Sequence, residues 1–350
     1  MDSLPVCVLN PAGRDPDQDF SAGAGQPDAG GRPAHPPVNY HAYAACTRGM
    51  FLRSLPRALE ATGPVILLAR GDLRSTATAL RSLKRAARPA WIAVKEAGRH
   101  QVAALLGDAG RLARFTALLR EADGFLASTP WLVPFCRGLG ANRATFLPTP
   151  YPVEVPAWRF DRALPERQGI LVGTREFDVP SRNHLAALAA ALAVGRETGV
   201  PVSVFCAGDR RDLALLRALE PDPTRLRVLP GPIPYADWLR CLAAHRIVFQ
   251  MDRSGVPGQV AGDALLCGTP CVGGDGAVEQ VAWPDSNGIG RDTVELQQIS
   301  VSMLTGDAVW RDAVGAADAI ARAGVSFGAV GAELQTLLVG GGGLPGRGAP

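Results

Sequence analysis

The run from Gly255 to Gly274, Gly-Val-Pro-Gly-Gln-Val-Ala-Gly-Asp-Ala-Leu-Leu-Cys-Gly-Thr-Pro-Cys-Val-Gly-Gly, places glycines, a helix start and a carboxylate within one loop. Gly255, Gly258 and Gly262 allow backbone to approach a ligand closely. A helix opening after Pro257 would aim its free N–H groups and positive dipole end at anything anionic. Asp263 falls one to two turns into that helix, so Gly255, Gly258, Gln259, Val260 and Asp263 are the candidate ligand contacts. Ala264 to Cys267 would pack the helix on a sheet, Gly268-Thr269-Pro270 would end it, and Cys271-Val272 would enter a strand. An ordinary helix-to-strand turn is the competing reading.

A second constellation is Gly173-Thr174-Arg175-Glu-Phe-Asp-Val-Pro-Ser181-Arg182-Asn183-His184. Gly173 and Thr174 leave a strand, Arg175 and Arg182 offer two guanidiniums able to grip phosphate oxygens, and Ser181 is a candidate helix cap. The alternative is a pair of solvated arginines. His184 reads either as a group reaching the same cleft or as a cap or surface histidine. Gly208-Asp209 follows a strand and reads as a base-pocket wall or a plain turn. His41, His100 and His245 have no ligand or triad spacing, and no metal site or other cofactor is expected.

These loops need strands alternating with helices to hold them, the pattern of doubly wound α/β domains. Val6–Leu9, Val65–Ala69, Ala90–Val94, Gly124–Ala127 and Ala144–Leu147 read as strands of a first half. Tyr40 to Ala61, 73 to 87, Gln101 to Glu121 and Thr129 to Gly138 read as its helices. Residues 10 to 38, rich in Gly, Pro, Asp and Ala, are expected to be a disordered insert or a flexible lid on the acceptor side. A proline-stiffened, polar linker covers 151 to 168. Strands from Gly169, Val202, Leu226 and Ile247, with helices from about Arg182, Leu213 and Tyr235, make a second half. The expected domains are therefore 1 to 150 and 169 to 338, with a flexible tail over 339 to 350.

Composition agrees with two sizeable cores: 350 residues, 47% hydrophobic and 20% charged. A net charge of +3 argues against a nucleic-acid partner. The basic cluster Arg81, Lys84, Arg85 and Arg88 has helical spacing and reads as a solvated face, with weak attraction to a membrane surface as its functional alternative. Seven scattered cysteines look like small buried hydrophobes in a reducing compartment. With no leader-like start and no run of the ~18 apolar residues a span needs, the chain is expected to be cytoplasmic.

The segment from Asp263 to Gly274, with Gly276-Ala-Val-Glu279 after it, resembles the donor-site signature of the retaining family 4 glycosyltransferases. In that family a glutamate opens the loop, seven residues follow and a second glutamate starts the helix; here Gly255 and Asp263 hold those places. The similarity extends to Leu147-Pro-Thr-Pro-Tyr-Pro-Val and to Leu229 through Phe249, keeping register from about Gly124 to Val281. It implies a GT-B fold, two Rossmann-like domains facing across a cleft, and transfer of a sugar from a nucleotide-sugar donor with retention. The acceptor would be a glycan, lipid or small molecule. It implies Arg175 and Arg182 on the donor diphosphate, Lys95 where the family has a histidine, and Glu279 near the start of the next helix bonding nearby N–H groups. A non-catalytic GT-B-like protein binding a sugar, nucleotide or partner is the alternative.

Overall fold

In a computed structural model of the chain, residues 4–25, 27, 36–173, 179–206 and 209–339 are described. Among them, twelve strands form two sheets. The first holds β1 (Cys7–Leu9), β2 (Gln18–Asp19), β3 (Met50–Leu52), β4 (Val65–Ala69), β5 (Ala90–Val94), β6 (Gly124–Ala127) and β7 (Ala144–Phe146), in the order β2-β3-β1-β4-β5-β6-β7. Only β2 runs antiparallel to its neighbour. The second holds β8 (Ile170–Val172), β9 (Val202–Cys206), β10 (Leu226–Pro230), β11 (Ile247–Gln250) and β12 (Cys271–Gly273), all parallel, in the order β10-β9-β8-β11-β12.

Parallel strands are covered by helices on both faces, so their sequences are continuous apolar runs. Val65-Ile-Leu-Leu-Ala69, Ala90-Trp-Ile-Ala-Val94 and Val202-Ser-Val-Phe-Cys206 are buried at every position. In the second sheet the order reverses between β8 and β11, and ligands of open α/β sheets bind beyond the carboxyl ends of the strands at such a switch point. Gly173 follows β8, and Asp252 stands two residues beyond β11.

Several expected elements differ. The single helix read over Tyr40 to Ala61 is a helix Tyr40–Ala45, strand β3 and a helix Leu55–Glu60. Gly49 explains the break, because a Cβ there would fall 2.0 Å from the Val6 carbonyl oxygen, so the chain runs tight against β1. The helix read over Gln101 to Glu121 is two, Arg99–Leu105 and Ala109–Glu121, the second capped by the Asp108 side chain on the Arg111 N–H at 2.8 Å.

The described part of the expected lid, residues 10–25, 27 and 36–38, is partly built into the fold. Asp19 pairs with Met50, and Phe20 is buried in the first domain's core. The rest of that expectation, and the tail from 340, lie outside the described residues.

The linker is more than a polar spacer. Tyr151, Val153 and Trp158 are buried, and Arg167 donates to the Thr269 hydroxyl at 2.6 Å and the Cys267 carbonyl at 2.7 Å. The last described helix, Phe327–Val339, belongs to the second half by sequence but packs on the first domain. Phe327, Val330, Leu334 and Leu338 join Tyr40, Tyr43, Phe51 and Trp91 in one cluster.

Candidate functional site

A cleft of about 460 Å³ opens between the domains. Asn39, Lys95, Glu96, Ala97 and Gln101 line it from the first domain, and Gly173, Arg182, Gln250, Asp252, Gly258, Gln259, Val260, Asp263 and Glu279 from the second. Phe205, Ile233, Tyr235 and Trp238 make an apolar wall, with the Phe205 and Trp238 rings edge to face at 5.4 Å.

The glycine loop delivers the helix Gln259–Leu266 to this cleft, with Gly258 as its left-handed cap at φ 92°. The cleft wall is close-packed behind it. A Cβ on Gly262 would fall 1.9 Å from the Tyr151 ring, and one on Gly173 would fall 2.5 Å from Val260. Gln259 Oε1 accepts from Asn39 Nδ2 at 3.2 Å, a link between domains.

The polar side chains are mostly engaged with one another. Asp263, 1% exposed, accepts from the Tyr235 hydroxyl and from Trp238 Nε1 at 2.7 Å. Arg182 pairs with the buried Asp252, whose other oxygen accepts from the Ser254 N–H at 2.8 Å. Lys95 pairs with Asp15 at 3.5 Å. Glu279, 1% exposed, accepts from Gln250 Nε2 at 2.7 Å through Oε1, while Oε2 has no hydrogen-bond partner among the described residues. Burial pushes its carboxyl up to about 8; Asp252 and Asp275 add to the rise, and its own backbone N–H and Gln250 oppose it.

No family model and no curated protein matches the chain at the level of sequence. Solved structures do match. Sucrose-phosphate synthase from Thermosynechococcus elongatus superposes with a TM-score of 0.61 at 15% identity, covering 95% of this chain and 98% of that one. The E. coli trehalose-6-phosphate structure bound with UDP-2-fluoro glucose gives 0.60 at 11%, over 82% and 75%. A UDP-forming trehalose-phosphate synthase from Burkholderia xenovorans gives 0.57 at 12%, over 79% and 73%. The fold is GT-B.

On this GT-B frame the expected site residues separate. Lys95, Gly173, Arg182, Gly258, Gln259, Val260 and Asp263 line the cleft. Thr174, Arg175 and Gly208 lie outside the described residues. Gly255 and His184 do not line it.

Gly255 sits at φ 60° beneath the first domain. Its N–H donates to Asp275 Oδ1 at 2.7 Å, its carbonyl accepts from Trp131 Nε1 at 2.9 Å, and a Cβ there would fall 3.0 Å from the Arg99 guanidinium carbon. His184, read either as a group reaching the cleft or as a cap or surface histidine, is buried at the start of the helix His184–Thr198, where burial pushes its imidazole down to about 4.

Some of the lining was not foreseen. Tyr235 and Trp238, three apart on the helix Tyr235–Ala243, show helical spacing in the sequence, but nothing there pairs them with Asp263. Asp15-Pro-Asp17-Gln-Asp19 carries an alternating aspartate pattern that the expectation of no metal passed over. Asp15 pairs with Lys95, Asp17 with Arg57 and the Arg53 N–H, and Asp19 accepts from the Ser21 N–H. Among the described residues no three His, Cys, Asp or Glu side chains are grouped to hold a metal, and no helix is long and apolar enough to cross a membrane.

Proposed function

We propose that the chain is a glycosyltransferase that binds a nucleotide sugar in this cleft and moves the sugar to an acceptor with retention at the anomeric carbon. The observation carrying this reading is the meeting of Arg182 and the N-terminus of the helix Gln259–Leu266 at the mouth of the β8/β11 switch point, inside a cleft walled by both domains. The nearby structures support it: one is a UDP-forming synthase and another holds UDP-2-fluoro glucose.

In this reading the base and ribose lie along Phe205, Ile233 and Trp238. The diphosphate faces the helix N-terminus and Arg182, with Arg175 as a further cation. As the bond to the sugar breaks, negative charge grows on the departing phosphate, and those fixed dipoles and cations stabilise it. Positioning then carries most of the rate, with no metal required. Asp263 holds the apolar wall in place through Tyr235 and Trp238. Lys95, at the first domain's edge, faces the acceptor, whether that is a glycan, a lipid or a small molecule. The free cysteines suit a reducing, cytoplasmic setting.

A binder without catalysis is the second reading, favoured by the burial of Gly255 away from the cleft. The test is calorimetry against UDP, GDP, dTDP, ADP and CMP with their common sugar adducts, on the wild type, Gln259→Ala and Arg182→Gln. Folding is checked by circular dichroism. A hit weakened in folded variants supports the donor site, and product release with retained configuration by NMR supports transfer. Tight binding with no turnover for any acceptor class selects the second reading, and silence across the panel removes both.

A further inference from the structure

The carboxylates that line the cleft differ in what remains of their hydrogen-bonding capacity. Asp263 is held by Tyr235 and Trp238, Asp252 by Arg182 and the Ser254 N–H, and Glu96 stands exposed near Gln101. Glu279 is 1% exposed and keeps Oε2 without a hydrogen-bond partner among the described residues. That oxygen is wedged where Gly258 and Gly276 meet: a Cβ on either would fall 2.0 or 2.3 Å from it. Gly258 is the cap of the eight-residue helix Gln259–Leu266, so Oε2 lies beside the positive end of that helix.

We propose that Glu279 works as a neutral acid, donating a hydrogen bond from Oε2 to an oxygen of a diphosphate held at the N-terminus of the helix Gln259–Leu266. The inference rests on the donor-site reading above and adds to it the group that lets an acidic cleft accept an anion. Both described cations of the lining, Lys95 and Arg182, are already matched by Asp15 and Asp252. An ionised Glu279 would add a further negative charge at the point where the helix invites one, whereas a protonated carboxyl supplies a donor there.

The surroundings favour the neutral form. Burial raises its pKa to about 8, and Asp252 and Asp275 contribute in the same direction. Asp275 is itself paired with Arg99. The other titratable groups facing it, Cys271 and Tyr151, are pushed well above their ordinary values by burial and stay neutral. Asp263, on the helix Gln259–Leu266, is turned to Tyr235 and Trp238.

The experiment is calorimetry of inorganic pyrophosphate and of UDP with the full chain at pH 6.5 and pH 9, on the wild type, Glu279→Gln and Glu279→Leu. Circular dichroism confirms folding at each pH. Glutamine keeps a donor and cannot titrate, so the ratio of wild-type to Gln dissociation constants cancels the ligand's own ionisation. The expected ratio is near one at pH 6.5 and about tenfold at pH 9, one unit above the acid's titration; Glu279→Leu binds weakly at both.

A ratio that does not change with pH, or folded Glu279→Gln that loses binding at pH 6.5, overturns the proposal. Pyrophosphate binding with this pattern but no response to any nucleotide leaves the anion site standing and removes the donor reading. Failure of folded wild type to bind either probe removes the anion site.

Discussion

At the scale of the residue, the cleft is a set of buried charges that are acceptable only because they are paired or neutral. Asp252 is 2% exposed, so Arg182→Ala strands a buried carboxylate and is expected to cost about 3–5 kcal/mol, read as a lowered urea midpoint. Arg182→Ala combined with Asp252→Asn should recover much of that loss, because the stranded charge is gone.

Glu279 makes the opposite demand. Its folded pKa lies above its ordinary 4.5, so its contribution to stability is complete below pH 4.5 and is lost as pH rises through about 8. Thermal unfolding of the wild type should therefore weaken from pH 5 to pH 8, and Glu279→Gln should remove most of that slope, a difference on the order of a few kcal/mol at pH 8. A slope unchanged in the variant would mean the carboxyl titrates elsewhere. The residue types of this site were legible in the sequence, since Arg182, Gly258 and Asp263 stand out by spacing. Their pairing was not: Asp263 and its partners Tyr235 and Trp238 are 25 to 28 positions apart, and only the packed fold brings them together.

At the scale of the element, the loop that leads into the helix Gln259–Leu266 doubles as an interdomain clasp. Arg99 donates from its backbone N–H to the Ser254 carbonyl at 2.8 Å and from its guanidinium to Asp275 Oδ2 at 3.0 Å, while Trp131 holds the Gly255 carbonyl. Gly255→Glu therefore does not place a carboxylate in the cleft. A side chain there meets Arg99 and Trp131 at a positive φ, and the left-handed backbone alone costs a non-glycine residue roughly 1–2 kcal/mol. The expected outcome is a lower melting temperature with no gain of donor binding or turnover; a gain would show that the loop rearranges.

Strands and helices with strong periodicity were readable from the chain, β4 and β5 above all. The short strand β3 was not, because Met50-Phe-Leu52 is indistinguishable from one turn of an apolar helix until Gly49 is seen pressed against Val6.

At the scale of the whole molecule, the helix Phe327–Val339 returns to the first domain and closes its outer face. Gly331 makes the approach possible, since a Cβ there would fall 2.8 Å from the Cys46 carbonyl oxygen. Leu334 is fully buried in the cluster with Phe51 and Trp91, so Leu334→Ala is expected to cost about 2–5 kcal/mol. Hydrogen exchange should locate that loss in the first domain around Tyr40–Ala45, not only in the second; a loss confined to the second domain would show that the helix does not brace the first.

The sequence by itself determined the α/β alternation, the parallel strands that make up most of both sheets and the loops that end at the cleft. Hydrophobic runs and turn glycines act locally, within the few residues that make a strand or a turn. Only the tertiary structure decided that Gly255 is sealed under Arg99 and Trp131, that His184 faces the core, and that Glu279 keeps one oxygen beside a helix end. Those outcomes depend on which distant surfaces pack together, and burial and pairing are set there.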